Sequence, residues 1–186
     1  MTSDRRRPPL DKQVVVITGA SQGIGRETAL LFGRRGALVV AAARNEEALR
    51  TLADEIERSG GRAESVTIDV SDFPEVERLA DRAIERFGRI DTWINNAAVS
   101  AYARVTDLSR EELDRIVRVN LLGQMYGSKI AAERMTTAGG GAITPASVAG
   151  SSMFAMSAAG LFCPTPALYA QCSCHKSWKP GDLRSV

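Results

Sequence analysis

Val14-Val15-Val16-Ile17-Thr18-Gly19-Ala20-Ser21-Gln22-Gly23-Ile24-Gly25 is the stretch from which the fold can be read. Val14 to Thr18 is a short β-branched run, the pattern of a strand buried on both faces. Gly19 permits a tight turn, Gly23 lets the backbone approach a pyrophosphate with no Cβ in the way, and Gly25 lets the following helix pack close. The start of that helix offers unpaired N–H groups and the positive end of its dipole to phosphate. Glycines alone mark many plain turns. A strand before and a helix after, within a first βαβ unit, make this a dinucleotide-binding context.

Outward from this turn, apolar runs alternate with amphipathic helices. A helix carrying Ala29, Leu30 and Phe32 runs to Gly36, a C-terminal stop, and Ala37 to Ala43 is a second buried strand. Asn45 caps a helix whose Leu49, Leu52, Ala53 and Ile56 share a face; Gly60 and Gly61 end it, and Ala63 to Ile68 is a third strand. Asp72 with Glu75 reads as a capping-box-like start with Pro74 in the first turn, and Val76, Leu79, Ala80, Ala83, Ile84 and Phe87 follow on one apolar face. Thr92 to Asn95 is a fourth strand. Ser109 and Glu112 form a capping box opening a long helix through Leu113, Ile116 and Val117, and Ala142-Ile143 begin a fifth strand after three glycines. This alternation calls for a doubly wound parallel sheet, a three-layer α/β/α Rossmann fold incomplete at its C-terminal end. Its ligands bind outside the carboxyl ends of the strands, where the strand order reverses.

The Thr18-Gly19-x-x-x-Gly23-x-Gly25 spacing resembles the TGxxxGxG motif of the short-chain dehydrogenase/reductase family, and other segments agree. Asp69-Val70 follows the third strand, where that family contacts adenine. Asn95-Asn96-Ala97-Ala98 resembles its NNAG motif, with Ala98 in place of the last glycine. Asn120, within Arg118-Val119-Asn120-Leu121-Leu122-Gly123, stands where the family places a catalytic asparagine in a long helix. The resemblance implies a nicotinamide cofactor held by Gly19, Ser21, Gln22, Gly23, Ile24, Gly25, Asp69, Val70, Asn95, Asn96 and Ala97. It also implies hydride transfer to or from a small-molecule carbonyl or secondary alcohol.

Dinucleotide folds select their cofactor at the end of the second strand. An acid there hydrogen-bonds the ribose 2′-hydroxyl of NAD, and an arginine accommodates the 2′-phosphate of NADP. Here the strand ends Ala41-Ala42-Ala43-Arg44. No acid stands at Ala43, and a guanidinium can grip phosphate through a bidentate pair. The expectation is NADP(H). NAD(H) stays open, because Glu46 and Glu47 lie close to Arg44 and a surface arginine would read the same way.

In the same family a tyrosine passes the hydroxyl proton, and a lysine one helical turn later lowers its pKa from about 10. A serine polarises the carbonyl, and the asparagine helps hold a relay water. Ser147, within Ala146-Ser147-Val148-Ala149-Gly150, fits the serine, although Thr144-Pro145 precedes it and Pro cannot donate to a central ladder. The tyrosine that follows is Tyr169, later than the pattern expects. Four residues on stands Ser173, and the nearest lysine, Lys176, would sit two helical turns away, about 10 Å along the axis. Pro164, Pro166 and Pro180 oppose a long helix there. The implied catalytic set is Asn120, Ser147 and Tyr169 with Lys176 as helper. The alternative is a catalytically inactive nucleotide-binding remnant or interaction protein.

Composition bounds the rest. A chain of 186 residues, 44% hydrophobic and 25% charged, is long enough to bury a core as one domain. The formal charge is +2, and Arg5, Arg6 and Arg7 supply three positive charges in the N-terminal tail, so nothing asks for nucleic acid. No apolar run reaches the roughly 18 residues of a membrane span. Pro8 and Pro9 stand where a signal peptide would be apolar, so a cytoplasmic protein is expected. From Thr144 onward lie all three cysteines, the single histidine and four of the seven prolines. Neither a disulfide framework nor a metal site is expected of Cys163, Cys172, Cys174 and His175. The reading is a tail over 1–10, an NAD(P)-binding Rossmann domain over 11–150 and an irregular segment over 151–186. The shift in composition is the kind a truncated, frameshifted or misspliced relative would carry, with the usual elements of a homo-oligomer contact missing.

Overall fold

The computed structural model describes residues 8–101, 103–145 and 184–185. Its centre is β1 (Val14–Thr18), all of whose residues are buried. The loop after it leads into α1 (Gly23–Arg34), and β2 (Leu38–Ala43) lies parallel to β1, Val14 opposite Leu38 and Thr18 opposite Ala42. Next come α2 (Glu46–Arg58) and β3 (Arg62–Thr67), which pairs with β2, then α3 (Phe73–Phe87) and β4 (Thr92–Asn95). β4 returns to the other side of β1, Val15 opposite Thr92. A two-residue strand β5 (Val99–Ser100) precedes α4 (Arg110–Val117) and α5 (Gln124–Ala138), and β6 (Ala142–Pro145) pairs with β4. The parallel sheet runs β3-β2-β1-β4-β6, and β5 pairs antiparallel with β7 (Arg184–Ser185) apart from it.

Alternation along the central strands feeds two cores. Val15, Ile17, Val39 and Ala41 pack against Leu30 of α1 and Leu49, Leu52 and Ile56 of α2. Val14, Val16, Val40 and Ala42 face the other way, toward Leu79 and Ala83 of α3, Trp93, and Ile130 of α5. Each Val, Leu or Ile among these, fully buried, contributes about 1.5–3 kcal/mol, several times a helix-propensity difference, so the sheet dictates where the helices lie. The expected three layers follow.

The helix starts are those the sequence marks. Asn45 Oδ1 accepts from Ala48 N at 3.0 Å, Asp72 from Glu75 N at 3.3 Å, and Ser109 with Glu112 completes a reciprocal box. Glu75 departs from the expectation: its carboxylate accepts from Asp69 N rather than from the cap residue. The helix opened by Ser109 also differs. It is interrupted over Arg118–Gly123 by a π-helical turn, and α5 continues beyond it. Two anchors bracket that turn: Asn120 on the backbone of Val99, and Gly123 against Val70, where an added Cβ would stand 2.9 Å from Val70 Cγ2. A widened turn lets both meet in one helix. Pro145 lies inside β6, opposite Asn95; β6 has a neighbour on one side only among the described residues, so the proline interrupts no second ladder. No described helix is long and apolar enough to cross a membrane.

Candidate functional site

The strand order reverses between β1 and β4, and their carboxyl ends are tied together by side chains. Thr18 Oγ1 accepts from Asn96 N and Ala97 N, each at 3.1 Å. Asn96 Nδ2 donates to the carbonyls of Thr18 and Gly19 at 3.1 and 3.0 Å, so the asparagine amide shapes the glycine turn. Gly19 has φ +67°, and a Cβ there would lie 2.7 Å from Ala97 Cα. At Gly25 a Cβ would collide with the Gly19 carbonyl and the Asn96 amide. Neither position has room for a side chain, so the turn keeps its backbone exposed and its helix close.

α1 begins differently from its neighbours. Among the described helices that start from a loop, α2, α3 and α4 each have a side-chain cap and an acid in the first turn. Gln22, at the start of α1, makes no capping bond, and the first turn has no acid. No acid in the first turn opposes an anion at the positive end of the α1 dipole.

A cleft opens above these strand ends. Gly19, Ser21 and Gln22 form one side, and Ala43, Arg44 and Asn45 the next. Ile68, Asp69 and Val70 continue it, and Ala97, Ala98 and Val99 with Arg115 and Val119 complete the lining. Arg44 is exposed and has no ion pair or side-chain hydrogen bond among the described residues; Glu46 and Glu47 do not engage it. Its charge is available to the cleft.

Asp69 is held from two directions. Its Oδ1 accepts from Ser71 N at 2.9 Å and Ser71 Oγ at 2.7 Å, and Arg115 Nη2 lies 3.1 Å from its Oδ2. Burial pushes its pKa up, but the Ser71 hydrogen bonds and the Arg115 charge together outweigh burial and leave the carboxyl below its ordinary value.

The residues singled out in the sequence do not all reach the cleft. Gly19, Ser21, Gln22, Arg44, Asp69, Val70 and Ala97 line it. Gly25 and Asn96 stand behind as its frame, and Ile24, beside Gly23, is 59% exposed. Asn95 turns away: its Oδ1 accepts from Trp93 Nε1 at 2.8 Å and its Nδ2 donates to Ser128 Oγ at 3.0 Å, binding β4 to α5. Asn120 is committed to Val99, accepting from its N–H at 2.8 Å and donating to its carbonyl at 2.7 Å. Ser147, Tyr169 and Lys176 lie outside the described residues. Sequence reasoning passed over Thr18, Arg115 and Val119. For Arg115 the sequence holds no local signal, since its partner Asp69 is distant in the chain.

Comparison with known proteins follows this geometry. The family model for short chain dehydrogenase matches residues 13–159. An uncharacterized oxidoreductase of Bacillus subtilis is 48% identical over 130 residues, 70% of this chain and 36% of its own. Among solved structures, a metagenomic short-chain oxidoreductase in complex with NADP aligns with TM-score 0.69 at 36% identity, covering 73% of this chain and 62% of that one. An alcohol dehydrogenase from the archaeon Thermococcus sibiricus, complexed with 5-hydroxy-NADP, aligns at 0.66 with 34% identity, covering 70% and 57%. The chain thus spans less than two thirds of the length of each.

Proposed function

Because the chain belongs to the short-chain dehydrogenase/reductase family, we propose that its cleft binds NADP(H) and that the whole protein moves a hydride between that cofactor and a carbonyl or secondary alcohol. The observation carrying this reading is the pairing of a glycine turn with no room for a Cβ at Gly19 or Gly25, opening an α1 with no acid in its first turn, with Arg44 at the end of β2, which has no ion pair among the described residues. The first suits a pyrophosphate and the second a 2′-phosphate. The NADP and 5-hydroxy-NADP held by the two structural relatives support the choice of nucleotide.

The nicotinamide ring supplies the hydride. The chain's part is to hold and orient it: Gly19, Ser21, Gln22, Gly23, Ile24 and Gly25 at the diphosphate, Arg44 at the 2′-phosphate, and Asp69 and Val70 at the base. In reduction the Tyr169 phenol would give the carbonyl oxygen its proton, with Ser147 polarising that oxygen and Lys176 as helper. Asn95, Asn96 and Asn120 serve this arrangement as braces. Asn96 fixes the glycine turn, Asn95 fixes β4 on α5, and Asn120 fixes Val99 at the cleft wall.

A second reading, nucleotide binding without turnover, is favoured by the seven-residue step from Tyr169 to Lys176. NADPH that binds yet is not oxidised across a broad carbonyl panel selects that reading. The cofactor assignment is tested by titrating the full chain with NADPH and NADH. Wild type is expected to prefer NADPH, and Arg44→Asp to lower the preference about tenfold or more, the worth of a charge-assisted phosphate bond. An unchanged ratio refutes the assignment to NADP(H).

A further inference from the structure

Asp69 puts a negative charge into a cleft read above as holding a polyanionic dinucleotide, which by itself repels that ligand. Both carboxylate oxygens are engaged, from different places. Ser71 supplies its backbone N–H and hydroxyl to Oδ1 from the same turn, so that oxygen is fixed locally. Among the described residues Oδ2 is reached by Arg115, which comes from α4, distant in the chain. The two side chains are 33% and 29% exposed, so the pair is partly shielded from water. No residue of α4 is buried; the Arg115–Asp69 pair and the Asn120–Val99 bonds in the turn that follows tie this stretch to the cleft.

We propose that Arg115 is a positioning residue for the adenine end of the cofactor, acting through the Asp69 carboxylate; the inference rests on the NADP(H) reading. The guanidinium offsets the charge that would repel the phosphates. It also sets the rotation of the carboxylate. An ionised oxygen accepts more than one hydrogen bond, so Oδ2 keeps an acceptor site for an amino donor such as the exocyclic amine of adenine while Arg115 holds it. Val119, one turn further along, lines the same cleft. Arg115 therefore determines how the base is received without transferring any proton or hydride.

The test uses the full chain with fluorescence titration of NADPH and competition by adenosine 2′,5′-bisphosphate. Arg115→Met should weaken both ligands by the same factor, about fivefold, the size expected of a partly exposed charge pair. Arg115→Lys should recover part of the loss. In an Asp69→Asn background Arg115→Met should cost nothing further, because its effect runs through the carboxylate. A variant that binds NADPH as tightly as wild type, an undiminished loss in the Asp69→Asn background, or a bisphosphate affinity that does not change each overturns the role assigned to Arg115. Should Arg115→Met not fold by circular dichroism, Arg115→Gln carries the same comparison. Wild type is the control that separates the two claims: no NADPH binding by wild type removes the cofactor reading and this inference together, whereas binding that ignores Arg115 removes only the inference.

Discussion

Asn120 ties both ends of its amide to Val99, imitating a neighbouring strand for one residue at the cleft wall. Asn120→Ala would leave a partly buried N–H and carbonyl unpaired, so it should destabilise the fold by about 1–3 kcal/mol in urea denaturation. A midpoint equal to wild type would mean water replaces the side chain without loss. Asp69 carries a pH dependence whose sign follows from its lowered pKa. Its contribution to stability is complete above the ordinary Asp value of about 3.9 and is lost as pH falls through the lower folded value. Arg115→Met should move that folded value upward, read from the carboxyl carbon shift of Asp69 across a pH series. A shift that stays put would assign the lowering to Ser71 alone. Gly19, Gly25 and Asn96 could be singled out in the sequence because their spacing encodes a backbone shape. Asn95 could not be separated from Asn96, since only the pleat decides which of two adjacent amides turns toward α5 and which toward the glycine turn. Arg115 was illegible for another reason: an arginine on a polar helix reads as solvated surface until its partner, distant in the chain, is known.

α4 lies at the surface, touching the core through the partly buried Ile116 and the cleft through Arg115. It buries no residue, and Leu113 and Val117 are 42% and 50% exposed although their spacing reads as a packed face. Its start is fixed by the Ser109–Glu112 box, where the Glu112 carboxylate accepts from Ser109 N at 2.8 Å, and its far end by the turn at Asn120. Loss of the cap should therefore appear locally rather than globally. Ser109→Ala, worth about 1 kcal/mol, should speed amide hydrogen exchange across Arg110–Val117 severalfold and leave β1 and β2 unaffected. Equal protection in the variant would show that Ile116 and the Arg115–Asp69 pair hold the helix without the cap. The capping box was plain in the sequence; the π turn was not. Apolar residues at 3.6-residue spacing continue through it, and the demand for a wider turn comes from Val99 and Val70, distant in the chain.

The whole molecule places its chemistry where the chain turns back. β1 and β2 are buried on both faces, which gives each an unbroken apolar run and made the centre of the sheet readable. The alternation of strands and helices called for a doubly wound sheet with its ligand at a reversal of strand order, and the structure puts that reversal between β1 and β4. What stayed hidden is the contribution of Val99 and Arg115 to the cleft lining, because no local motif marks residues that meet only through the fold. Every functional reading depends on the α1 start receiving a diphosphate. The most direct measurement is an amide proton–nitrogen NMR titration of the folded chain with NADPH. Saturable shifts should concentrate at Gly19, Ser21, Gln22, Gly23, Ile24 and Gly25, with Arg44 and Asp69 following. Amides in this turn that do not move at millimolar NADPH or NADH would contradict the dinucleotide site itself.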